Sequence, residues 1–298
     1  LLCAIIMYII EKGSVMLVHT IEELRQKRAE WKDLKVGIVP TMGALHEGHL
    51  SLIKKAKETC DKVVVSVFVN PIQFGPSEDF DKYPRTLDKD MELCNSVGVD
   101  LVFAPTPKEM YGEGNRLSND TLTYVCPPFF YVNKLCGKTR VGHFDGVCTV
   151  VLKLFNIVQP DYGFFGQKDA QQVIIIKKMV KDLNVPIEII QCPIVREESG
   201  LALSSRNKYL SEEGKKDALV LSQILKNIKA CFQKGITDVS ALKETAYSYL
   251  TDKHDMEYLE ILDRNTLEEK PNADRESIAL IACRVEGVRL IDNIYLGE

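Results

Sequence analysis

The sequence predicts an α/β fold, with a Rossmann-like parallel sheet in an N-terminal domain and a smaller α+β domain at the C-terminal end. Between residues 16 and 193, short apolar runs alternate with stretches of helical periodicity, which is typical of βαβ units. The run DKVVVSVFVN at 61–70 is dominated by valine, as in a strand buried on both faces. Because 298 residues suggest about two domains of roughly 150 residues each, we expect a second domain at 194–298.

The elements of the N-terminal domain follow from local patterns. Strands are predicted where β-branched residues run together, and helices where apolar residues recur every three or four positions and stop near Gly or Pro. In chain order these are helix 19–31, strand 35–41, helix 46–60, strand 61–70, helix 86–99, strand 100–106, helix 144–158, strand 161–166, helix 170–184 and strand 185–192. Parallel strands joined by helices predict right-handed crossovers.

The remaining segments are predicted as a connection and a second domain. Residues 106–142 are expected to be rich in loops. The domain boundary is expected within CPIVREESG, residues 192–200. Beyond it, long amphipathic helices are predicted at 212–235 and 239–254, and strands of an antiparallel sheet at 257–263 and 276–296.

Charge and cysteine content limit the class of protein. Thirty-eight basic and 42 acidic residues give a net charge of −4, so the chain lacks the positive field of general nucleic-acid binders, and no nucleic-acid partner is expected. The nine cysteines form no CxxC pair, which disfavours zinc clips and a disulfide scaffold and favours reduced thiols in a cytoplasmic protein.

The first residues, LLCAIIMYII, are apolar but too few to span a bilayer, and they lack the basic region of a signal peptide. We expect residues 1–15 to be a non-native or atypical leader ahead of Met16, with a short membrane-associating extension as the alternative. No membrane partner is expected.

The segment PTMGALHEGHL at 40–50 follows a predicted strand and opens a helix. Its glycines, Gly43 and Gly48, allow a ligand to approach the backbone, and the free N–H groups of a helix start suit a phosphate. His46 and His49 share one helix face and can bind phosphate oxygens. The spacing is neither that of a Walker A loop nor GxGxxG, and the alternative is two surface histidines beside a turn.

A second polar segment, 67–90, follows the strongest predicted strand. Asn70 and Gln73 are neutral hydrogen-bonding groups suited to the hydroxyls of a small substrate. Carboxylates in this segment are candidate magnesium ligands, because Mg²⁺ prefers oxygen; these are Asp79, Asp81, Asp88 and Asp90, of which Asp88 and Asp90 are the preferred pair. The alternative is a polar loop ahead of a solvated helix.

The segment FFGQKDAQQ at 164–172 is again strand, turn and helix. Gly166 supplies the turn, Lys168 is a candidate phosphate contact, and Gln172 lies one turn into the helix. Asp169 occupies an N-cap position, so its simplest role is capping.

The segment GLALSSRNKYLS at 200–211 follows the predicted domain boundary. Ser204, Ser205 and Arg206 make a small cluster of anion-binding groups, with an interdomain linker and a cap as the alternative. Since ligands bind at the carboxyl ends of strands in open α/β sheets, the four segments together predict a nucleotide site to which both domains contribute, with ATP as the occupant.

Five ordered motifs resemble the pantothenate synthetase (pantoate–β-alanine ligase) family, and the resemblance covers nearly the whole chain from Met16. These motifs are PTMGALHEGHLSLI, FVNPIQFGPSEDFDKYPRTLDKD, LCGKTRVGHFDGVCTVVLKLFNIVQP, FGQKDAQQ and GLALSSRN. HEGH and SSR are also similar to the two signatures of the wider HxGH nucleotidyltransferase superfamily. Val141 stands where the family usually has Pro.

The resemblance implies a ligase that uses ATP and Mg²⁺ to condense pantoate with β-alanine through a pantoyl adenylate, releasing AMP and pyrophosphate. It also implies a homodimer. The implied catalytic residues are His46, His49, Lys168 and Arg206, and Gln73, Gln172 and Asn70 would bind substrate. The implied ATP-binding residues are Met42, Gly43, Ala44, Leu45, His46, Glu47, Gly48, His49, Gly166, Gln167, Lys168, Asp169, Val195, Leu203, Ser204, Ser205 and Arg206.

Two other functions remain open at this point. One is a different nucleotidyltransferase, such as an aminoacyl-tRNA synthetase fragment, although the chain is acidic and has no evident anticodon-reading appendage. The other is a nucleotide-sensing module without catalysis, against which stands the intact set His46, His49, Lys168 and Arg206.

Overall fold

A computed structural model of the chain describes residues 15–76, 78–112 and 122–298. The predicted leader lies outside these residues except for Val15. The chain divides into two compact units. Unit 1 contains the described residues up to Val125 together with Asp145–Phe165 and Asn184–Cys192, and unit 2 contains Cys126–Phe144, Gly166–Leu183 and Pro193–Glu298. The predicted division into 16–193 and 194–298 stays a prediction.

The helices and strands alternate in unit 1 and separate into a helical part and a sheet in unit 2. In chain order they are β1 Met16–Val18, α1 Ile21–Ala29, β2 Val36–Thr41, α2 Glu47–Thr59, β3 Lys62–Val67, α3 Leu87–Ser96, β4 Leu101–Phe103, α4 Pro107–Tyr111, α5 Phe129–Val132, α6 Leu135–Thr139, α7 His143–Val158, β5 Tyr162–Gly166, α8 Ala170–Asp182, β6 Glu188–Cys192, α9 Glu212–Asp217, α10 Leu219–Gln233, α11 Val239–Glu244, β7 Asp255–Asp263, β8 Ser277–Val285 and β9 Val288–Tyr295. Short 3₁₀ turns lie at Pro71–Gln73, Gln167–Asp169, Ser205–Tyr209 and Tyr247–Tyr249.

Unit 1 is built on a six-stranded sheet in the order β1-β4-β3-β2-β5-β6, which confirms the predicted Rossmann-like fold. The β1–β4, β4–β3, β3–β2 and β2–β5 pairs are all parallel. Strand order along the chain reverses between β2 and β5, and the carboxyl ends of strands at such a switch point form the usual ligand site of this architecture. The edge strand β1, only three residues long, is absent from the sequence prediction.

The core of unit 1 lies between this sheet and its helices. Val63 and Val65 of β3 are fully buried, as are Ile53 and Ala56 of α2, whose spacing of three puts both side chains on the same helix face. Gly37 of β2 leaves room for its neighbours, since a Cβ there would lie 2.9 Å from the sulfur of Cys60. The valine-rich run therefore forms the buried centre of the sheet, as predicted.

Unit 2 carries the antiparallel sheet β7-β8-β9, again as predicted. Strands β8 and β9 are joined by a two-residue turn in which Glu286 and Gly287 have φ values of 50° and 77°. Two consecutive positive φ values give the turn a twist that matches the flanking strands. The apolar face of α10, including Ile224 and Ile228, packs in one cluster with Ile281 of β8.

Two predicted helices of unit 2 are shorter than expected. The helix at 212–235 is interrupted at buried Ala218, and the helix at 239–254 ends at Glu244. After Glu244 the hydroxyl of Thr245 donates to the carbonyl of Leu242, and that of Ser248 donates to the carbonyl of Thr245. Side-chain hydroxyls that bind nearby carbonyls offer the backbone an alternative to continued helix. The segment predicted as loop-rich also contains α4, α5 and α6, while residues 113–121 lie outside the described chain.

Eight cysteines lie within the described residues, and six of them are buried. Burial raises the pKa of the Cys60 thiol to about 11 and that of Cys94 to about 12. Cys126 is exposed, and Cys3 lies outside the described residues. Among the helices that the structure describes, none combines the length and the hydropathy needed to cross a bilayer.

Candidate active site

The turn that follows β2 in unit 1 is held by a buried carboxylate. Asp90 of α3 is 1% exposed, and its two oxygens accept hydrogen bonds from the backbone N–H groups of Ala44 (3.1 Å) and Leu45 (2.8 Å). Gly43 and Ala44 both have positive φ, 84° and 49°. Burial raises the pKa of Asp90, and the hydrogen bonds from Leu45, Thr86 and Ala44 oppose that rise. The carboxylate thereby fixes a strained turn at the predicted phosphate site.

The two histidines cap the helix that the turn opens. His46 is the N-cap of α2, and its Nδ1 accepts the N–H of Gly48 at 3.1 Å. Nδ1 of His49 accepts the N–H of His46 at 3.3 Å, so the pair forms a reciprocal capping box. Since Nδ1 accepts in both rings, each neutral imidazole carries its proton on Nε2. Both rings are thus oriented as Nε2–H donors at a helix N-terminus.

The other predicted residues of this segment lie around the same turn. Met42 and Gly48 are half-buried and Leu45 is buried, whereas Glu47 is exposed and lies 3.8 Å from Lys54. The prediction that His46 and His49 share a face is confirmed in geometry, because their ring centroids are 4.1 Å apart.

A buried amide network follows β3. Nδ2 of Asn70 donates to Oε1 of Gln73 at 2.9 Å and to the carbonyl of Gly146 at 3.2 Å, and its Oδ1 accepts from the Tyr111 hydroxyl at 2.6 Å. Burial raises the pKa of Tyr111 well above its ordinary value, which keeps the hydroxyl a donor. Gln73 directs its Nε2 toward the sulfur of Met42, 3.4 Å away. The network therefore fixes the orientation of the Gln73 amide, with Oε1 toward Asn70 and Nε2 toward Met42.

Asn70 is bound mainly within the protein, and the substrate contact predicted for it stays a prediction. Its side chain is 1% exposed, and three of the four hydrogen bonds that an amide can make are formed within unit 1. Gly146 of α7 makes this packing possible, since a Cβ there would meet the carbonyl oxygen of Ile72 and lie 2.7 Å from Cα of Gln73. Asn70 orients Gln73, and Gln73 remains the candidate substrate ligand.

The carboxylates predicted as magnesium ligands differ in their surroundings, since Asp90 is buried and Asp88 is exposed. No group of three His, Cys, Asp or Glu side chains within them is arranged to hold an ion. Asp90 is committed to the turn at Ala44 and Leu45, which argues against a metal role for it. Asp88 is exposed in the first turn of α3, and its metal role stays a prediction.

Unit 2 contains a cleft of about 900 Å³, a volume that includes solvent at its mouth. Several predicted residues line it together, namely Lys168, Asp169, Gln172, Ser204 and Arg206. The cleft thus collects the cationic and amide groups from two segments that are separate in sequence. Such a concave, positively charged site suits a polyphosphate.

Lys168 lies in the 3₁₀ turn between β5 and α8. Its Nζ is 3.5 Å from a carboxylate oxygen of Asp169. The prediction that Asp169 caps α8 is wrong, because its side chain makes no capping hydrogen bond. Asp169 has ψ near 52°, and its carboxylate lies beside Lys168, so it balances the charge of that amine. Gly166, the last residue of β5, and Gln167 of the turn are both half-buried.

The SSR segment is presented by a small hairpin. Leu203 donates its N–H to the carbonyl of Val195, Arg196 and Ala202 form an antiparallel bridge, and Gly200 turns the chain with a φ of 96°. This pairing brings Val195 and Leu203, two of the predicted ATP-binding residues, next to the Ser204–Arg206 segment. The Ser204 hydroxyl accepts the N–H of Arg206 at 3.2 Å and so caps the short 3₁₀ turn that carries Ser205 and Arg206.

Among the cleft residues that have no role in the sequence prediction, two polar pairs stand out, Arg140 with His143 and Asp292 with Asn293. Arg140 and His143 lie within 2.8 Å of each other, guanidinium to Nε2, and both line the cleft. Asp292 and Asn293, of β9, are 3% and 1% exposed. The sequence carried a signal for each pair: a basic residue and a histidine flanking Gly142, and two adjacent polar residues inside the apolar strand RLIDNIYL.

Comparisons with known proteins agree over almost the whole chain. The family model described as pantoate-beta-alanine ligase matches residues 16–295. A pantothenate synthetase from Clostridium novyi (strain NT) is 51% identical over 290 residues, which are 95% of this chain and 100% of that protein. Among solved structures, a pantothenate synthetase of Thermus thermophilus is 41% identical with a TM-score of 0.89, covering 95% of this chain and 100% of that one.

A further solved structure is informative for its ligands. The pantoate-beta-alanine ligase of Francisella tularensis, complexed with beta-gamma ATP and beta-alanine, is 37% identical with a TM-score of 0.78. It covers 95% of this chain and 98% of that chain.

Proposed function

This chain belongs to the pantoate–β-alanine ligase family, and we propose how its own residues carry out the reaction of that family. It condenses pantoate with β-alanine to pantothenate with the use of ATP. The observation that carries this assignment is the family match over residues 16–295, which includes every candidate site residue named above.

The reaction proceeds in two steps that balance without a protein nucleophile. A carboxylate oxygen of pantoate attacks the α-phosphorus of ATP, and the bond to the bridging oxygen of pyrophosphate breaks, leaving pantoyl adenylate. The amine of β-alanine then attacks the acyl carbon, a C–N bond forms, the C–O bond to AMP breaks, and the amine loses a proton. The nucleophile is already an anion in the first step, so positioning and charge stabilisation dominate its catalysis.

Unit 1 supplies the oriented neutral donors. The Nε2–H groups of His46 and His49, set by the capping box, donate to phosphate oxygens as negative charge develops on the leaving pyrophosphate. Gly43 lets the turn at Met42–Leu45 pack closely on its own unit, since a Cβ there would lie 2.9 Å from Cγ1 of Val67 and 3.0 Å from Oδ2 of Asp90. Gln73, oriented by Asn70, hydrogen-bonds pantoate and lies near β-alanine.

Unit 2 supplies the cations. Lys168 and Arg206 contact the phosphates from within one cleft, and the Ser204–Arg206 turn adds backbone N–H groups. Gln172, also in this cleft, contributes to pantoate binding. These groups are arranged before the substrate arrives, so little reorganisation opposes the reaction.

Magnesium enters as part of the ATP complex. When bound, Mg²⁺ would neutralise charge on the triphosphate, and such an ion usually takes only one or two protein carboxylates and keeps several waters. Asp88 remains the carboxylate to test for a supporting contact. Chelation with EDTA abolishes activity if the ATP complex is the true substrate.

The family membership also supports a cytoplasmic homodimer. Reduced buried thiols fit a reducing compartment. Light scattering coupled to gel filtration at several protein concentrations tests the dimer, and a mass near 33.6 kDa throughout refutes it.

The activity itself is tested by incubating the protein with ATP, MgCl₂, pantoate and β-alanine. AMP, pyrophosphate and pantothenate are expected in equal amounts. Release of ADP and phosphate contradicts the adenylate route. Pyrophosphate exchange that requires an amino acid in place of pantoate supports a different nucleotidyltransferase, and tight ATP binding without turnover supports a sensor.

A further inference from the structure

Two consecutive buried polar residues of β9 line the cleft of unit 2. Asp292 is 3% exposed and Asn293 is 1% exposed, in a strand whose neighbours are largely apolar. Burying such groups costs free energy unless each is hydrogen-bonded. Their partners lie on the two segments that carry Lys168 and Arg206.

Asn293 holds the turn that carries Lys168. Its Nδ2 donates to the carbonyl oxygens of Gln167 (2.9 Å) and Lys168 (3.0 Å), and its Oδ1 accepts from Nε2 of Gln167 at 3.2 Å. The contacts reach the backbone of Lys168, more than 120 residues away in sequence, and do not involve its amine. Asn293 therefore fixes the backbone position from which the side chain of Lys168 extends.

Asp292 holds the hairpin that carries Arg206. Its two carboxylate oxygens bind the guanidinium of Arg196 at 2.6 and 2.8 Å, a bidentate pair. Arg196 also donates to the carbonyl of Gly200 at 3.2 Å and pairs with Ala202 through the backbone, two residues before Ser204. The hairpin is thus tied to β9 immediately before the chain reaches Arg206.

The two residues are also tied to each other. The N–H of Asn293 donates to Oδ1 of Asp292 at 2.8 Å. We propose that Asp292 and Asn293 are positioning residues that fix the separation of Lys168 and Arg206 in the cleft. This proposal rests on the proposed function, because it takes adenylation as the step that needs both cations. A misplacement of about 1 Å at such a site costs on the order of a hundredfold in rate.

The test uses two near-isosteric variants of the full-length protein. Asn293→Asp removes both donated hydrogen bonds and places an acid oxygen beside two carbonyl oxygens. Asp292→Asn removes the charge that binds Arg196. The matched control is Asp263→Asn, because Asp263 lies in the same sheet at the end of β7, binds a lysine (Lys270, 2.8 Å) and accepts backbone N–H groups, but does not line the cleft.

Each variant is combined with Lys168→Ala and with Arg206→Ala in double-mutant cycles. We expect Asn293→Asp to slow single-turnover adenylation by about tenfold or more in the natural background and by less than about threefold in the Lys168→Ala background. Asp292→Asn is expected to behave in the same way with Arg206→Ala. Attack of β-alanine on preformed adenylate is expected to change less than adenylation does.

Additive losses overturn the proposal. If Asn293→Asp lowers the adenylation rate by the same factor with and without the Lys168 side chain, Asn293 does not act through Lys168. The same conclusion follows if the rates of both half-reactions fall in proportion to the loss in melting temperature, as expected for Asp263→Asn. In either case the two residues only support folding. ATP affinity measured by calorimetry in the same cycles gives the coupling independently of turnover. An unmodified protein that makes no pantoyl adenylate refutes the proposed function, while those affinities still decide the positioning role.

Discussion

The imidazole rings of His46 and His49 lie 4.1 Å apart between centroids, tilted by 38°, and each ring accepts a backbone N–H through Nδ1. Capping uses Nδ1 of each ring, and the proposed catalytic donation uses Nε2, the opposite nitrogen. The N–H groups at the N-terminus of α2 orient both imidazole rings, and the rings in turn cap that N-terminus. This arrangement makes the two roles separable by substitution.

Replacing His49 by Ala removes the proposed Nε2–H donor and the cap acceptor together. We expect His49→Ala to fold and to lose ~10²–10³-fold in rate, the scale of one missing transition-state donor. His49→Asn keeps an acceptor for the N–H of His46 but lacks Nε2, so it is expected to melt closer to the natural protein and to be as slow as the alanine variant. Full activity in either variant contradicts the assignment of His49.

Removing the Tyr111 hydroxyl leaves Oδ1 of Asn70 buried without its donor. Tyr111→Phe is expected to lower the free energy of unfolding by ~1–3 kcal/mol, the usual cost of such a group. Because Asn70 orients Gln73, we also expect a higher KM for pantoate with little change in KM for ATP. Steady-state kinetics and urea unfolding measure both effects, with the exposed Tyr247→Phe as the control. Equal changes in the KM values for pantoate and ATP would contradict the role of Asn70 in orienting Gln73.

A methyl group at Gly146 would press α7 against the turn that carries Gln73. Its Cβ would lie 2.7 Å from Cα of Gln73, besides meeting the carbonyl of Ile72. Gly146→Ala is expected to destabilise unit 1 by ~1–3 kcal/mol, as overpacking does, and to reduce activity by displacing Gln73. Gly75→Ala is the matched control, since a Cβ there would find its nearest atom 3.7 Å away. Similar melting temperatures for the two variants contradict the close approach.

Lys168 is expected to act in adenylation and not in the amine step. Lys168→Ala should lose ~10²–10³-fold in the formation of pantoyl adenylate, because a cation that stabilises the leaving pyrophosphate is missing. Rapid-quench measurement of each half-reaction distinguishes the steps. Lys178→Ala, which removes a lysine paired with Asp182 on the same helix α8, controls for the loss of charge. A defect confined to attack by β-alanine would reverse the assignment.

Acid stability of unit 1 is expected to depend on Asp100. Burial raises the pKa of this carboxyl, but hydrogen bonds from Lys57 (2.8 Å) and Lys62 (2.9 Å) outweigh burial and leave the pKa below its ordinary value of 3.8. A folded-state pKa below the unfolded value stabilises the protein above the unfolded pKa, and this contribution disappears as pH falls through the folded pKa.

Asp100→Asn should therefore lower stability at pH 7, and the gap from the natural protein should narrow once pH falls below about 4. Urea unfolding between pH 3 and pH 7 follows the gap, with Asp33→Asn as an exposed control. A gap that widens with acid would show that the lysine contacts do not govern the shift.

Local sequence patterns determined the order of the strands and helices, because valine-rich runs and helical periodicity report burial directly. They also identified the turns with His46, Lys168 and Arg206, since Gly, His and cationic residues at strand ends carry a local chemical signal. The patterns failed where a local competitor acted, as at Thr245 and Ser248, whose hydroxyls end α11 early.

The tertiary structure alone decided which side chains support the site. Asp90 binds the turn at Ala44 and Leu45, Asn70 orients Gln73, and Asn293 holds the backbone of Lys168 from more than 120 residues away. A carboxylate or an amide has the same sequence signature whether it binds a ligand or a backbone group. Only the packing of distant segments brings a particular partner within hydrogen-bond distance, and that partner determines the role.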